Sequence, residues 1–150
     1  MSMFPHTVTV YNVEQNYGAD FNEDFINHIT VLHGVLLDAT KAINVRSSGI
    51  EGADAVNLYI PRNVVAVDAL TGAPRQYISP MRYWALDDKS NYWTLSFPGN
   101  GGTTFFVKGE VSDDKPFETI SMIYDGVYNV TKVDDKDFGG DMAHFEVGGA

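Results

Sequence analysis

Val56-Asn57-Leu58-Tyr59-Ile60 places an apolar residue at every second position, Val56, Leu58 and Ile60, with Asn57 and Tyr59 between them. That is the period of a strand with one buried face. The same period recurs on both sides. Val8 and Val10 alternate with Thr7, Thr9 and Tyr11; Ile29, Val31, Val35 and Leu37 share a parity; Ile43 and Val45 alternate with Asn44 and Arg46. Later, Trp93, Leu95 and Phe97 alternate with Tyr92, Thr94 and Ser96, followed by Phe105 and Val107, Tyr128 and Val130, then Ala143, Phe145 and Val147. The intervals carry turn chemistry, as in Tyr17-Gly18-Ala19-Asp20, Leu70-Thr71-Gly72-Ala73-Pro74 and Phe138-Gly139-Gly140-Asp141. Gly supplies positive φ there and Pro fixes φ near −65°. Many short strands so punctuated predict a mainly β fold, a small barrel or sandwich of antiparallel strands, in place of alternating βαβ units.

One stretch departs from the period of two. Phe117, Ile120, Ile123 and Tyr124 have helical spacing after Asp113-Asp114 and Pro116, and Asp125-Gly126 follows. Asp suits an N-cap, Pro the first turn and Gly the exit. The spacing predicts a single embedded helix at about 114–124, roughly three turns packed on the sheet.

With 150 residues, 44% of them hydrophobic, the chain fits one domain spanning 1–150 and has the apolar content for a core. No cysteine is present, which excludes disulfides, thiolate metal sites and cysteine nucleophiles. The net charge of −10 is unevenly placed. Residues 1–40 hold five acids and no Lys or Arg, residues 41–86 five bases against three acids, and the remainder five bases against twelve acids. This balance opposes a grip on DNA, because affinity for phosphates comes mainly from Lys and Arg, although an acidic lining lets DNA slide past without sticking. A beginning without a base predicts no secretory or transit leader, and the apolar run 29–37 is too short to span a membrane.

Candidate chemistry is sparse. Counted from Asp135, acids stand at positions 1, 3 and 12 (Asp135, Asp137, Glu146) and Gly140 at 6, a partial match to a calcium loop. Gly139 at position 5 offers no side-chain oxygen, so a solvated hairpin turn is expected. His6, His28, His33 and His144 follow no metal-ligand spacing. The Gly-rich 98–103 lacks the Gly-Lys-Ser/Thr of a phosphate loop, and no Gly-x-Ser-x-Gly elbow occurs. Asp87-Asp88, Asp113-Asp114 and Asp134-Asp135 read as solvated turns. In Tyr83-Trp84, Tyr92-Trp93 and Phe105-Phe106, one member of each pair is expected in the core and the other on a neighbour or in solvent. No catalytic, cofactor or metal residue emerges, and no enzyme is expected. A small hydrolase or a calcium-dependent binding module is the rival reading.

The order of the segments His6-Thr7-Val8-Thr9-Val10-Tyr11-Asn12, Val31-Leu32-His33-Gly34-Val35-Leu36, Val56-Asn57-Leu58-Tyr59-Ile60-Pro61, Phe106-Val107-Lys108-Gly109-Glu110-Val111, Val127-Tyr128-Asn129-Val130-Thr131 and His144-Phe145-Glu146-Val147-Gly148 resembles minor structural proteins of tailed phages and prophages. The likeness is to small head-closure, or stopper, components of the phage neck. It covers the first sixty residues and the last forty-five and leaves 64–104 unplaced. The resemblance implies a small β-barrel with an embedded helix. It also implies a homo-oligomeric ring, with the portal or an adaptor above and a tail terminator or tail proteins below. DNA would pass through the channel unread, in a virion assembled in the host cytoplasm, with no membrane and no cofactor. Two loops then become candidates to face the channel or a neighbour: 47–54, with Glu51 and Asp54 and no base, and the uncharged 98–104.

Overall fold

The computed structural model describes residues 4–17, 23–38, 56–96, 102–136 and 143–150. In chain order the elements are β1 (His6–Tyr17), β2 (Glu23–Asp38), β3 (Val56–Pro61), β4 (Val65–Asp68), β5 (Gln76–Tyr77), α1 (Pro80–Trp84), β6 (Tyr92–Trp93), β7 (Thr103–Lys108), α2 (Phe117–Ile123), β8 (Val127–Lys136) and β9 (His144–Gly149). Six strands run in the order β1-β7-β8-β9-β3-β2, and β2 returns to β1, every pairing antiparallel. The protein is therefore mainly β, and its centre is a closed barrel. The expected strand at Ile43 and Val45, Phe97 and both candidate channel loops except Gly102 to Thr104 lie outside the described residues.

The alternation read from the sequence becomes the barrel wall. Val8, Val10, Leu58, Ile60, Phe106 and Val147 are among the side chains that fill the interior, all of them almost fully buried. Even an eight-stranded barrel is only just wide enough for its own side chains, so this one has no lumen. Packing there is close enough that a Cβ on Gly149 would stand 2.7 Å from the Phe106 ring.

β2 corrects the parity expected for it. Ile29 packs in an outer cluster with Tyr11, whereas Val35 and Leu37 share the interior with Leu32. The switch falls at Gly34, which has φ +87° and is skipped in the pairing with β1, where Thr7 faces His33 and His6 faces Val35. An extra residue in a strand moves every later side chain to the other face, and glycine takes positive φ without a Cβ clash.

α2 covers that outer cluster. Phe117 and Ile120 lie against Tyr11, Phe105 and Val107, with Tyr11 stacked on Phe105 at 4.5 Å. Both Phe105 and Phe106 are thus buried, one outside the barrel wall and one inside. The helix matches the expected place and is shorter, seven residues. Its N-cap position is Pro116, without a side-chain cap. Asp113 and Asp114 do not cap it. Tyr124 donates to the Asp113 carboxylate, Tyr11 donates to the Asp113 carbonyl, and Asn27 donates to Asp114 at 3.0 Å. These acids hold the helix approach against the sheet and are not simply solvated turns.

A second, five-residue helix, α1, lies in the stretch that the resemblance left unplaced. With β4 added to β2 and the small parallel pair β5–β6, it forms a segment across one end of the barrel. Among the described residues no helix is long and apolar enough to cross a membrane.

Candidate functional site

That end of the barrel gathers most of the buried charge. β1 brings Asn12 and Glu14, β2 brings His28 and Thr30, and the end segment brings Asp68, Arg75, Tyr83 and Lys89. Alternation carries Asn12 inward after Val8 and Val10, so its amide must be satisfied inside. It donates to the Thr94 carbonyl at 2.8 Å and the Thr104 hydroxyl at 2.9 Å, and accepts from the Thr94 N–H at 3.2 Å. Ser96 continues the network, its N–H donating to the Thr104 hydroxyl at 2.9 Å.

Arg75 fastens the other side. Its guanidinium donates to the Ile29 carbonyl and the Thr30 hydroxyl, both at 2.8 Å, to the Ser90 carbonyl at 3.1 Å, and to Asp68 at 2.6 Å. Burial alone would raise the Asp68 carboxyl. The N–H groups of Leu70 and Thr71, together with Arg75, outweigh it and hold the group below the usual carboxylate value. Three parts of the chain meet on one cation: β2, β4 and the loop at Ser90.

Glu14 forms a third clamp. Its two oxygens lie 3.1 Å from His28 Nε2 and 3.4 Å from the ammonium of Lys89, which also donates to the Leu86 carbonyl at 2.6 Å. Burial raises the Glu14 carboxyl, and its hydrogen bonds and charge contacts with His28 and Lys89 bring the net shift below the ordinary value. Tyr83 lies beneath, with His28 edge-on to its ring at 6.0 Å. Its hydroxyl is buried without a hydrogen-bond partner among the described residues. Burial pushes Tyr83 and Tyr77 above the usual phenol range, and burial plus the Asp113 carboxylate does the same to Tyr11. None of the three serves as a base near neutral pH.

Beside these clamps is a cavity of about 140 Å³, lined by Arg62, Val64, Arg75, Gln76, Tyr77, Trp93 and Phe145. The Arg62 guanidinium lies 4.9 Å from the Phe145 ring centre and is ion-paired with Asp135. Tyr77 packs on both Trp93 and Phe145.

The residues weighed for calcium and other metal chemistry are distributed otherwise. Asp135 and Glu146 sit in the paired strands β8 and β9, Asp135 engaged by Arg62, and Glu146 3.7 Å from the Lys136 ammonium and 3.6 Å from His144 Nε2. Residues 137–142 between them lie outside the described residues. His6 accepts from the Leu37 N–H at 2.9 Å and His33 is exposed on β2. Among the described residues no three His, Asp or Glu side chains gather as a metal site requires. Sequence reasoning passed over Glu14, Arg75 and Lys89. For Glu14 and Arg75 the signal available was their position, single charged residues in stretches with little other charge; Lys89, directly after Asp87-Asp88, carried none.

Fold and site together define a small closed antiparallel β-barrel whose one end is stopped by an inserted segment on buried polar clamps. The chain belongs to the family of unknown function DUF6751, whose model matches residues 3–150. No curated protein and no solved structure matches it.

Proposed function

We propose that this protein is a structural subunit of a tailed-phage virion, a head-closure component that forms a ring around the DNA channel between the portal or adaptor and the tail. The observation that carries the reading is the solid barrel. Among the described residues its interior is filled by its own side chains, so other molecules meet it from outside the barrel. A subunit of this kind can surround DNA only as several copies side by side, with unlike patches meeting head to tail. The net charge of −10 suits a wall that DNA must pass without adhering. The buried charged groups at the barrel end are engaged with neighbouring protein groups, the pattern of clamps that hold a fold in place.

Native mass spectrometry and electron microscopy of the purified protein, alone and with the products of its neighbouring genes, test this. A closed ring, or one formed on addition of the portal or adaptor, is expected. A monomer under all these conditions overturns the reading. In infected cells, loss of the gene is expected to leave filled heads that leak DNA and fail to join tails.

A further inference from the structure

The two short helices stand on opposite faces of β2. Asn27 donates to the Asp114 carboxylate at 3.0 Å and to the Lys115 carbonyl at 2.8 Å, in the stretch that leads into α2. The next residue, His28, turns the other way and stands edge-on to Tyr83 of α1 at 6.0 Å. Successive side chains of a strand point to opposite faces, so the helices look away from each other and a single copy cannot bring their outer sides together.

Each helix leaves an apolar side chain uncovered beside a charge. α2 buries Ile120 and packs Phe117 and Tyr124 on the sheet, while Met122, 86% exposed, and Ile123, 54% exposed, stay outside. Exposed Glu118 is one turn before Met122 and shares its side of the helix. α1 buries Tyr83 and turns Met81, also 86% exposed, and Arg82 outward. Among the described residues these two methionines are the most exposed of the large hydrophobic side chains, and neither the Arg82 guanidinium nor the Glu118 carboxylate has a partner. Methionine, unbranched and polarizable, suits a contact that forms between separate surfaces.

The order of charges gives such a contact a direction. Arg82 is followed by exposed Asp87, and Glu118 is preceded by exposed Lys115. Laid antiparallel, the two helices bring Met81 to Met122 and Ile123, Arg82 to Glu118, and Asp87 to Lys115. Laid parallel, Arg82 faces Lys115 and Asp87 faces Glu118, which repels. Both halves of the contact, apolar and charged, are supplied by this one chain, so the occupant of each is a second copy.

We infer that α1 of one copy docks antiparallel on α2 of the next, Met81 against Met122 and Ile123, with Arg82 paired to Glu118. The inference rests on the ring reading above and names the contact that would build the ring: two unlike patches on opposite sides of one subunit, as head-to-tail assembly requires.

The absence of cysteine allows a direct test. Met81→Cys and Met122→Cys proteins, substituted at exposed positions and checked for an unchanged circular dichroism spectrum, are mixed in equal amounts where the ring forms and oxidised. The mixed disulfide is expected in about tenfold excess over either like-with-like dimer, against about twofold from random collision, because docking raises the local concentration of that pair alone. Arg82→Glu is expected to weaken assembly about tenfold by native mass spectrometry, and Arg82→Glu combined with Glu118→Arg to restore it to within about threefold. A mixed disulfide at the random ratio in a protein that still forms the ring, or assembly unmoved by Arg82→Glu, overturns the docking and leaves the ring reading standing. A wild-type monomer at every concentration, alone and with the portal or adaptor, overturns both.

Discussion

The barrel wall and the segment that stops its end are held by different physics. The wall buries apolar side chains in a repeating order, and each gains by leaving water whatever its exact partner. The end segment has two short strands and a five-residue helix, elements too brief to be stable by themselves. It stays because Trp93 and Leu95 insert into the interior and because Asn12, Arg75 and Glu14 satisfy its polar groups from the wall. An apolar wall tolerates imprecision; a polar clamp with one partner missing leaves a buried group uncompensated.

Removing bulk from the wall is expected to cost most. Phe106→Ala, at a fully buried interior position, should lower unfolding free energy by about 3–5 kcal/mol, measured by urea denaturation. Breaking the clamp comes next. Arg75→Met should cost about 3 kcal/mol at neutral pH by leaving Asp68 without its cation. This loss depends on acidity. A carboxyl lowered in the folded state contributes stability that is whole above its unfolded value, 3.8, and is lost as pH falls through the folded one. The gap between wild type and Arg75→Met should therefore narrow below about pH 4; a gap that widens in acid would show that Asp68 is not the group involved.

A smaller effect tests the hinge between the two faces of β2. Gly34→Ala has room for its Cβ, the Phe4 carbonyl oxygen standing 3.9 Å away, so its cost of about 1–2 kcal/mol should come from the positive φ alone. The smallest change sharpens the contrast within the end segment. Tyr83→Phe removes a buried hydroxyl that has no partner among the described residues and should be neutral or stabilising by under about 1 kcal/mol in thermal melts. A large loss there would mean that the hydroxyl is bonded in solution.

The barrel strands were legible because burial on one face leaves a period of two, and Val56 to Ile60 show it without interruption. β2 was legible as a strand but not in its facing, since the Gly34 bulge inverts the parity. β4 and β5 carried no usable signal: Val65-Ala66-Val67-Asp68 is four residues long and Gln76-Tyr77 only two. α1 starts at Pro80 without a side-chain cap and is too short for an apolar period to repeat. The acids Asp113 and Asp114 looked like a helix cap, yet Tyr11, Tyr124 and Asn27 reach them from other elements, which no local pattern reveals.

By itself the sequence determined a mainly β chain without cysteine chemistry and with strong negative charge, because composition and the period of two are local properties that burial writes directly into residue order. Only the tertiary structure decided that six strands close on themselves, that Phe105 and Phe106 are buried on opposite sides of one wall, and that Arg75, Glu14 and Lys89 anchor the barrel end. Those outcomes join residues far apart in the chain, 45 positions between Thr30 and Arg75 and 82 between Asn12 and Thr94, and such pairings have no periodic trace.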